Sequence, residues 1–228
     1  MKTITAHEGK TCKPNRIPLS AKMAAGQIQE TYDGIAEQYE KRIWFDQHIL
    51  GVARLRKQLL SKASGTILEV ACGTGQNFPF FDPRSRITAV DLSPKMLEIA
   101  HRTAAEHGLN ASLAVMDAEK LEFQDGSFDT VVSTLSTCTF PDPVKALQEI
   151  KRVCRPNGLI LLLEHGHSSV PWLANYQDRH EYQHYESNAG CRWNQDPLDL
   201  VRSAGIQVMK ERRAILGVFH AIEAIPAG

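Results

Sequence analysis

A glycine-containing turn and an acidic residue, 16 positions apart, are the parts of this sequence best suited to chemistry. An apolar stretch (residues 67–71) runs into Gly73 and Gly75, and a second apolar stretch (residues 87–90) ends at Asp91. A buried strand that opens into a glycine turn lets the backbone approach a ligand, and an acid that ends the next strand can accept hydrogen bonds from a ribose. The pair predicts a site for a nucleoside-containing cofactor.

The residues after the turn discriminate between cofactors. Gly73 and Gly75 lack the third glycine of the dinucleotide fingerprint, and the bulky residues Asn77, Phe78 and Pro79 follow instead. In nicotinamide enzymes the third glycine lets a helix pack closely, with its N-terminus at the pyrophosphate. A cofactor without phosphate groups therefore fits this turn better.

Around these residues, the sequence resembles the class I S-adenosylmethionine-dependent methyltransferases, of the methyltransferase type 11 kind. The similarity covers about residues 30 to 165 in unbroken order, through the segments EVACGTG (69–75), VDLSPKML (90–97), VMDAE (115–119), FDTVVS (128–133) and EIKRVCRPNG (149–158). The resemblance implies an α/β fold with three layers, Rossmann-like. Its seven-stranded sheet would be mostly parallel, with an antiparallel C-terminal hairpin.

The resemblance also implies a site for S-adenosylmethionine, which would leave as S-adenosylhomocysteine. Asp91 would accept hydrogen bonds from the ribose, Asp117 from the adenine amine, and Leu92 and Met96 would flank the adenine. Leu92 and Met96 can equally be core residues, and Asp117 a solvated acid at a strand end. The expected cofactor-binding residues are Tyr32, Glu69, Gly73, Thr74, Gly75, Asn77, Asp91, Leu92, Met96, Asp117, Ala118, Ser133, Thr134 and Leu135.

Elements can be placed from hydrophobic periodicity and punctuation. We expect two helices between residues 21 and 62, helices at 94–107 and 143–154, and a helix from Pro197. Strands are expected at 66–71, 86–91, 111–116, 127–133, 158–164, 206–213 and 215–225. Ser93, Asp142 and Asp196 each precede a proline, which predicts three capped helix starts.

The predicted organisation is one methyltransferase domain (21–228) behind a flexible tail (1–20). The domain would comprise a helical lid (21–62), a cofactor-binding core (63–165), an acceptor-site insertion (166–195), and a helix with the C-terminal hairpin (196–228). In the lid, residues 32–39 resemble the corresponding segment of quinone and phospholipid methyltransferases. An aromatic hydroxyl, from Tyr32 or Tyr39, would there reach the cofactor, although plain helix packing also accounts for both.

Composition favours small-molecule chemistry over nucleic-acid binding. Across 228 residues, 26 basic and 26 acidic side chains cancel, which leaves no broad positive surface. No apolar run approaches the roughly 18 residues that span a bilayer, so we expect no transmembrane segment. Basic residues of the tail allow weak membrane contact.

The five cysteines form no metal-type spacing, which predicts reduced thiols in a cytoplasmic protein and no bound metal.

The methyl acceptor is expected to contact the strand end at His165 and the segment that follows. That segment is rich in histidine and aromatic residues, and His180 and His184 would share a helix face, as a metal site, as pocket-lining groups, or as a solvated face. Cys138 is either a reactive group at the mouth of the site or a small core residue. We predict His165 and Tyr39 as catalytic residues, and the substrate-binding residues as His167, Tyr176, His180, His184 and Trp193.

The predicted function is methyl transfer to a sulfur or nitrogen atom of a small polar molecule, such as a thiol or an imidazole like a thiohistidine. Residues 163–165 and the Arg155-Pro156-x-Gly158 stretch resemble a subgroup of small thiol methyltransferases, without that subgroup's membrane-anchoring N-terminus. One alternative is methylation of a phospholipid amine or a quinone precursor. Another is a non-catalytic cofactor-binding sensor or partner subunit. The oligomeric state stays open.

Overall fold

The computed structural model describes the backbone of residues 22–48 and 51–227, and the side chains of residues 22–43 and 51–227. The predicted tail (1–20) therefore lies outside the described residues. The strands are β1 (Thr66–Val70), β2 (Arg86–Asp91), β3 (Ala111–Val115), β4 (Phe128–Thr134), β5 (Cys154–His165), β6 (Ile206–Ala214) and β7 (Phe219–Pro226). The helices are α1 (Ala25–Ile35), α2 (Tyr39–His48), α3 (Val52–Leu60), α4 (Pro94–Glu106), α5 (Pro143–Val153), α6 (Pro171–Arg179), α7 (Glu181–Ser187) and α8 (Pro197–Ser203).

All seven strands form one sheet with the order β3-β2-β1-β4-β5-β7-β6. The first five strands are parallel, and β7 pairs antiparallel with both β5 and β6. The prediction of a mostly parallel, seven-stranded sheet with an antiparallel C-terminal hairpin is confirmed. The strand order reverses between β1 and β4, where open α/β sheets bind their ligands.

Helices cover both faces of the sheet, because successive strand residues belong to two separate cores. In β4, Val131 packs with Leu147 of α5, whereas Val132 belongs to a second cluster with Leu59 of α3. Such strands, buried on both faces, read as continuous apolar runs in the sequence. This explains why residues 159–163 of β5 are uniformly apolar.

The three predicted helix caps are confirmed. The Ser93 side chain accepts a hydrogen bond from the backbone of Met96, and Asp142 accepts from Lys145. Asp196 accepts from the first turn of α8. Each cap satisfies backbone N–H groups that the helix itself leaves without partners.

Three expectations about elements were wrong. The region before β1 holds three α-helices and not two, because Gly51 (φ 76°) starts a new helix. Strand β5 begins at Cys154, four residues early, since Cys154 already pairs with Phe128. Strand β7 begins at Phe219 and not at residue 215, because Ile215, Leu216 and Gly217 all have positive φ and form the hairpin turn.

Candidate functional site

A cavity opens at the carboxyl ends of β1, β2 and β4. Eleven of the residues expected to act in cofactor binding or catalysis line it: Tyr32, Tyr39, Gly73, Thr74, Asp91, Leu92, Met96, Asp117, Ala118, Thr134 and Leu135.

The turn and the acid that first suggested a cofactor are bonded to each other. Asp91 Oδ2 accepts a 2.8 Å hydrogen bond from the Gly73 N–H, and Oδ1 accepts a 2.9 Å bond from the Ser93 N–H. Burial raises the pKa of Asp91, and these backbone donors oppose that shift. The carboxylate is thus held at the cavity wall with lone pairs left for a pair of ligand hydroxyls.

Asp117 lies at the same wall, just after β3. Its Oδ1 accepts a 2.9 Å bond from the Glu119 N–H, which fixes the side chain. The next residue, Ala118, is buried at the cavity. An acceptor beside a backbone amide is the arrangement that an adenine edge requires, since it offers an exocyclic amine donor and a ring nitrogen acceptor.

Four other expected cofactor residues do not line the cavity: Glu69, Gly75, Asn77 and Ser133. They lie behind its wall. Asn77 donates from Nδ2 to Glu69 Oε1 (2.9 Å) and to Thr134 Oγ1 (3.0 Å). Burial raises the pKa of Glu69 to about 8. These residues therefore position the turn and the end of β4 and do not reach the cavity themselves.

Arg56 of α3 is a lining residue that the sequence reading missed. Arg56 is 4% exposed, and its Nη1 donates to Asn77 Oδ1 and Thr134 Oγ1, each at 2.5 Å. Its Nε is buried and has no partner among the described residues. A signal was available, since position 56 belongs to the apolar stripe 52, 55, 59 of α3, where an arginine is unexpected.

The charge balance around Arg56 leaves the cavity wall ready for an anion. Burial lowers the pKa of Arg56, and nearby Tyr39, Glu69 and Glu164 oppose that shift. Burial also raises the pKa of Glu69, which weakens this carboxyl as a counter-charge for the guanidinium. A ligand carboxylate at this wall would complete the pairing that a buried charge needs.

The lid helices are tied to the core by acids. Glu40 of α2 accepts hydrogen bonds from the Thr74 hydroxyl and from Gln76 of the glycine turn. Asp33 of α1 accepts from Ser93 Oγ (2.5 Å) at the start of α4. These contacts hold the lid over the cavity, where Tyr32 and Tyr39 pack with ring centroids 6.2 Å apart. Burial raises the pKa of both phenols, that of Tyr39 to about 12, so both stay neutral.

The predicted acceptor segment forms an aromatic cluster outside the cavity lining. His184 stacks on Trp193 with centroids 4.0 Å apart, and His180 packs on Tyr176 at 4.2 Å. His180 is the N-cap of α7 and His184 lies within that helix, and the rings of both contact the Tyr176–Trp193 pair. Burial lowers the pKa of His184 to about 4, so its ring is neutral. His167, also predicted here, instead contacts Asp178 at 3.1 Å.

His165 lies beside two thiols that were not predicted to meet. Its Nε2 is 3.4 Å from Cys191 Sγ, and Cys138 Sγ completes a group whose three ligand atoms lie within 4.8 Å of one another. Cys138 and Cys191 are 53 positions apart in the chain, so no local spacing signals the group. Ser136 and Thr139, on either side of Cys138 in the chain, line the cavity, and both thiols raise the pKa of Tyr32 further.

The profile of the family described as "Methyltransferase domain" matches residues 68–162. Over 212 residues the chain is 29% identical to a mitochondrial methyltransferase, OMS1, of Saccharomyces cerevisiae, covering 85% of this chain and 45% of that protein. Human thiol S-methyltransferase TMT1B is 40% identical over 111 residues, 46% of each chain. Phosphatidylethanolamine N-methyltransferase of Cereibacter sphaeroides is 38% identical over 103 residues, 44% of this chain and 51% of that one. The chain thus spans about half the length of these curated relatives.

A solved structure extends the similarity to the fold. The [4+2]-cyclase SpnF superposes with a TM-score of 0.72 at 18% identity, over 90% of this chain and 97% of that one. At such identity the likeness concerns architecture alone.

No helix among residues 22–48 and 51–227 is long and apolar enough to cross a membrane.

Proposed function

The chain belongs to the class I S-adenosylmethionine-dependent methyltransferases, and we propose that it methylates a sulfur or nitrogen atom of a small polar molecule, with a thiol as the first choice. The observation that carries the cofactor assignment is the set of polar groups on one cavity wall. Asp91, Asp117 and the buried Arg56 guanidinium match, in turn, the ribose, the adenine amine and the carboxylate of S-adenosylmethionine. The orphaned Nε of Arg56 supports the last pairing.

S-adenosylmethionine supplies a methyl group that its sulfonium already activates. The protein therefore has mainly to align the acceptor atom with this methyl group and to exclude water, and it needs no covalent intermediate. The hydrogen bonds of Glu40 and Asp33 hold the lid over the cavity and so help to exclude water from it. Tyr32 and Tyr39, kept neutral by burial, offer hydroxyl groups to the cofactor or the acceptor. His165 is the group suited to taking a proton from a protonated acceptor.

A thiol is the first choice for two reasons. The human relative is named a thiol S-methyltransferase. His165 at the end of β5 lies beside Cys138 and Cys191, and these small polar side chains suit a small polar thiol better than a lipid chain. A thiohistidine-like acceptor would meet the same groups.

The test is calorimetric titration with S-adenosylmethionine and with S-adenosylhomocysteine, followed by a panel of thiols, imidazoles and amines with product mass measured. We expect binding of both cofactor forms and a gain of one methyl group on a thiol. Cofactor binding without transfer to any acceptor would favour a binding module instead; the likeness to a cyclase illustrates that this fold hosts other functions. Absence of cofactor binding would refute the proposal.

A phospholipid-amine acceptor is the second candidate, because two segments that are hydrogen-bonded to each other each carry an exposed apolar side chain. Trp172 on α6 is 66% exposed and Leu216 in the hairpin turn is 53% exposed, and a backbone bond from Ser169 to Leu216 joins their segments. One relative is named a phosphatidylethanolamine N-methyltransferase. This candidate requires binding to anionic vesicles that weakens with salt. The compartment of the protein stays a prediction, since the yeast relative is named as mitochondrial.

A further inference from the structure

We propose that Cys138, His165 and Cys191 bind one zinc ion and leave its fourth coordination position for the sulfur of a thiol acceptor. The second half of this statement rests on the proposed function. The first half rests on geometry alone, because three potential ligand atoms from distant parts of the chain converge within 4.8 Å.

The spacing suits tetrahedral zinc. Bond lengths of about 2.3 Å to sulfur and 2.0 Å to nitrogen place two tetrahedral ligand atoms about 3.6 Å apart. His165 Nε2 and Cys191 Sγ are 3.4 Å apart. The Cys138 Sγ atom lies within 4.8 Å of both of them. Small side-chain rotations would therefore suffice to place an ion between the three atoms.

The three segments that carry the ligands are held in place independently of any ion. Glu164, next to His165, is 1% exposed and accepts hydrogen bonds from the backbone of Ser136 and Thr137, in the loop that leads to Cys138. The Arg192 N–H donates a 3.0 Å bond to the Cys138 carbonyl, which ties the Cys191 loop to the same place. Such preorganisation is what separates a metal site from a chance cluster.

The chemistry of the ligands points to zinc with an open position. Two thiolates and an imidazole are soft donors that suit zinc, and catalytic zinc sites keep three protein ligands and one exchangeable position. Cys138 is 3% exposed, whereas His165 and Cys191 are only partly buried, so the open side faces away from Cys138. Ser136 and Thr139, on either side of Cys138 in the chain, line the cofactor cavity.

This position explains how a thiol could be activated beside the cofactor. If the acceptor sulfur binds the ion, His165 would serve as a ligand and not as the base, and the acceptor proton would leave to solvent. A lone pair of the sulfur would then form the bond to the methyl carbon while the sulfonium–methyl bond of S-adenosylmethionine breaks, and S-adenosylhomocysteine would leave. The deprotonated form is the nucleophile, and metal coordination favours it at neutral pH. No redox change and no further reactant is needed.

The test uses the full chain, reduced, freed of metal and kept anaerobic, titrated with cobalt(II) as a spectroscopic probe. We expect one cobalt per chain, with the visible absorption of a tetrahedral ion and a near-ultraviolet thiolate band. Cys138→Ser, Cys191→Ser and His165→Ala should each weaken binding by about 100-fold or more. Cys154→Ser, a buried thiol at the start of β5, is the matched control and should bind as the parent does.

Thermal unfolding and cofactor titration of each variant show that it is folded. Uptake of no cobalt, or equal uptake by the three ligand variants and the parent, would overturn the metal site. Addition of 2-mercaptoethanol should shift the visible bands, and unchanged bands would refute the open position for sulfur.

The two proposals fail separately. Thiol methylation that persists in metal-free protein with a chelator present would refute the role of zinc and leave the proposed function standing. Cobalt binding as expected, with no transfer to any thiol, would keep the metal site and contradict the thiol acceptor.

Discussion

The Gly73 N–H donates a 2.8 Å hydrogen bond to Asp91 Oδ2, which joins the glycine turn after β1 to the end of β2. The acid therefore has two tasks, since it shapes the turn and also lines the cavity. A substitution at Asp91 should disturb both the turn and the ribose contact.

Asp91→Ala should weaken binding of S-adenosylmethionine by about 1 to 3 kcal/mol, because ribose hydroxyls and the Gly73 N–H lose their buried acceptor. Calorimetric titration measures this. Asp82→Ala, in the exposed loop before β2, is the control and should leave affinity unchanged. Unaltered affinity in Asp91→Ala would remove Asp91 from the cofactor site.

Arg56→Met should show how much the carboxylate contributes to cofactor affinity. We expect the affinity for S-adenosylmethionine and S-adenosylhomocysteine to fall by about 1.5 to 3 kcal/mol, the range for hydrogen bonds to charged groups. Adenosine has no carboxylate, so its weaker binding should change little. Arg54→Met, exposed on the same helix, is the matched control. Equal losses for adenosine and the full cofactor would show that Arg56 has a structural role only.

Alanine at the two turn glycines should fail for different reasons. A Cβ at Gly75 would lie 2.6 Å from the Phe78 ring, so Gly75→Ala should lower thermal stability strongly. A Cβ at Gly73 meets nothing within 4 Å and points to open space, so Gly73→Ala should lose only about 1 to 2 kcal/mol for its positive φ. Its methyl group should nevertheless weaken cofactor binding. Thermal unfolding measures the stability of both variants, and calorimetric titration measures their cofactor affinity. A Gly75→Ala variant as stable as the parent would contradict the predicted clash with Phe78.

His165→Ala should lower turnover and leave cofactor affinity near that of the parent, because His165 is not among the cavity-lining residues. Steady-state kinetics with saturating cofactor, combined with calorimetry, measures the split. His101→Ala, exposed on α4, should change neither quantity. Loss of cofactor affinity equal to that of Asp91→Ala would refute the division between the two sites.

Stability without cofactor should fall as pH rises from 6 to 8. Burial raises the pKa of Glu164 to about 7, although Ser136 and Thr137 donate hydrogen bonds to it. An acid with a raised folded pKa stabilises the fold fully below its unfolded pKa and loses that contribution as pH rises through the folded value. For Glu164 the loss is about 1 kcal/mol over this window. Glu164→Gln should show a shallower decline in urea unfolding, and an identical pH slope would refute the assignment.

Periodic and local features of this sequence determined most of the fold. The apolar runs determine which strands are buried on both faces, and side-chain acceptors before proline determine where α4, α5 and α8 begin. Both signals act over a few residues, so they can be read without the partner segments. The glycine turn and Asp91 belong to the same class, because a strand end and its turn define where the backbone can approach a ligand.

Only the tertiary structure decided which side chains meet. Arg56 interrupts an apolar stripe in the sequence, but its partner Asn77 follows the glycine turn and its partner Thr134 ends β4. Cys138, His165 and Cys191 converge because the sheet order and the loop tied by Arg192 bring three distant segments together. Contacts between distant segments depend on topology and packing, for which residue type and spacing hold no local signal.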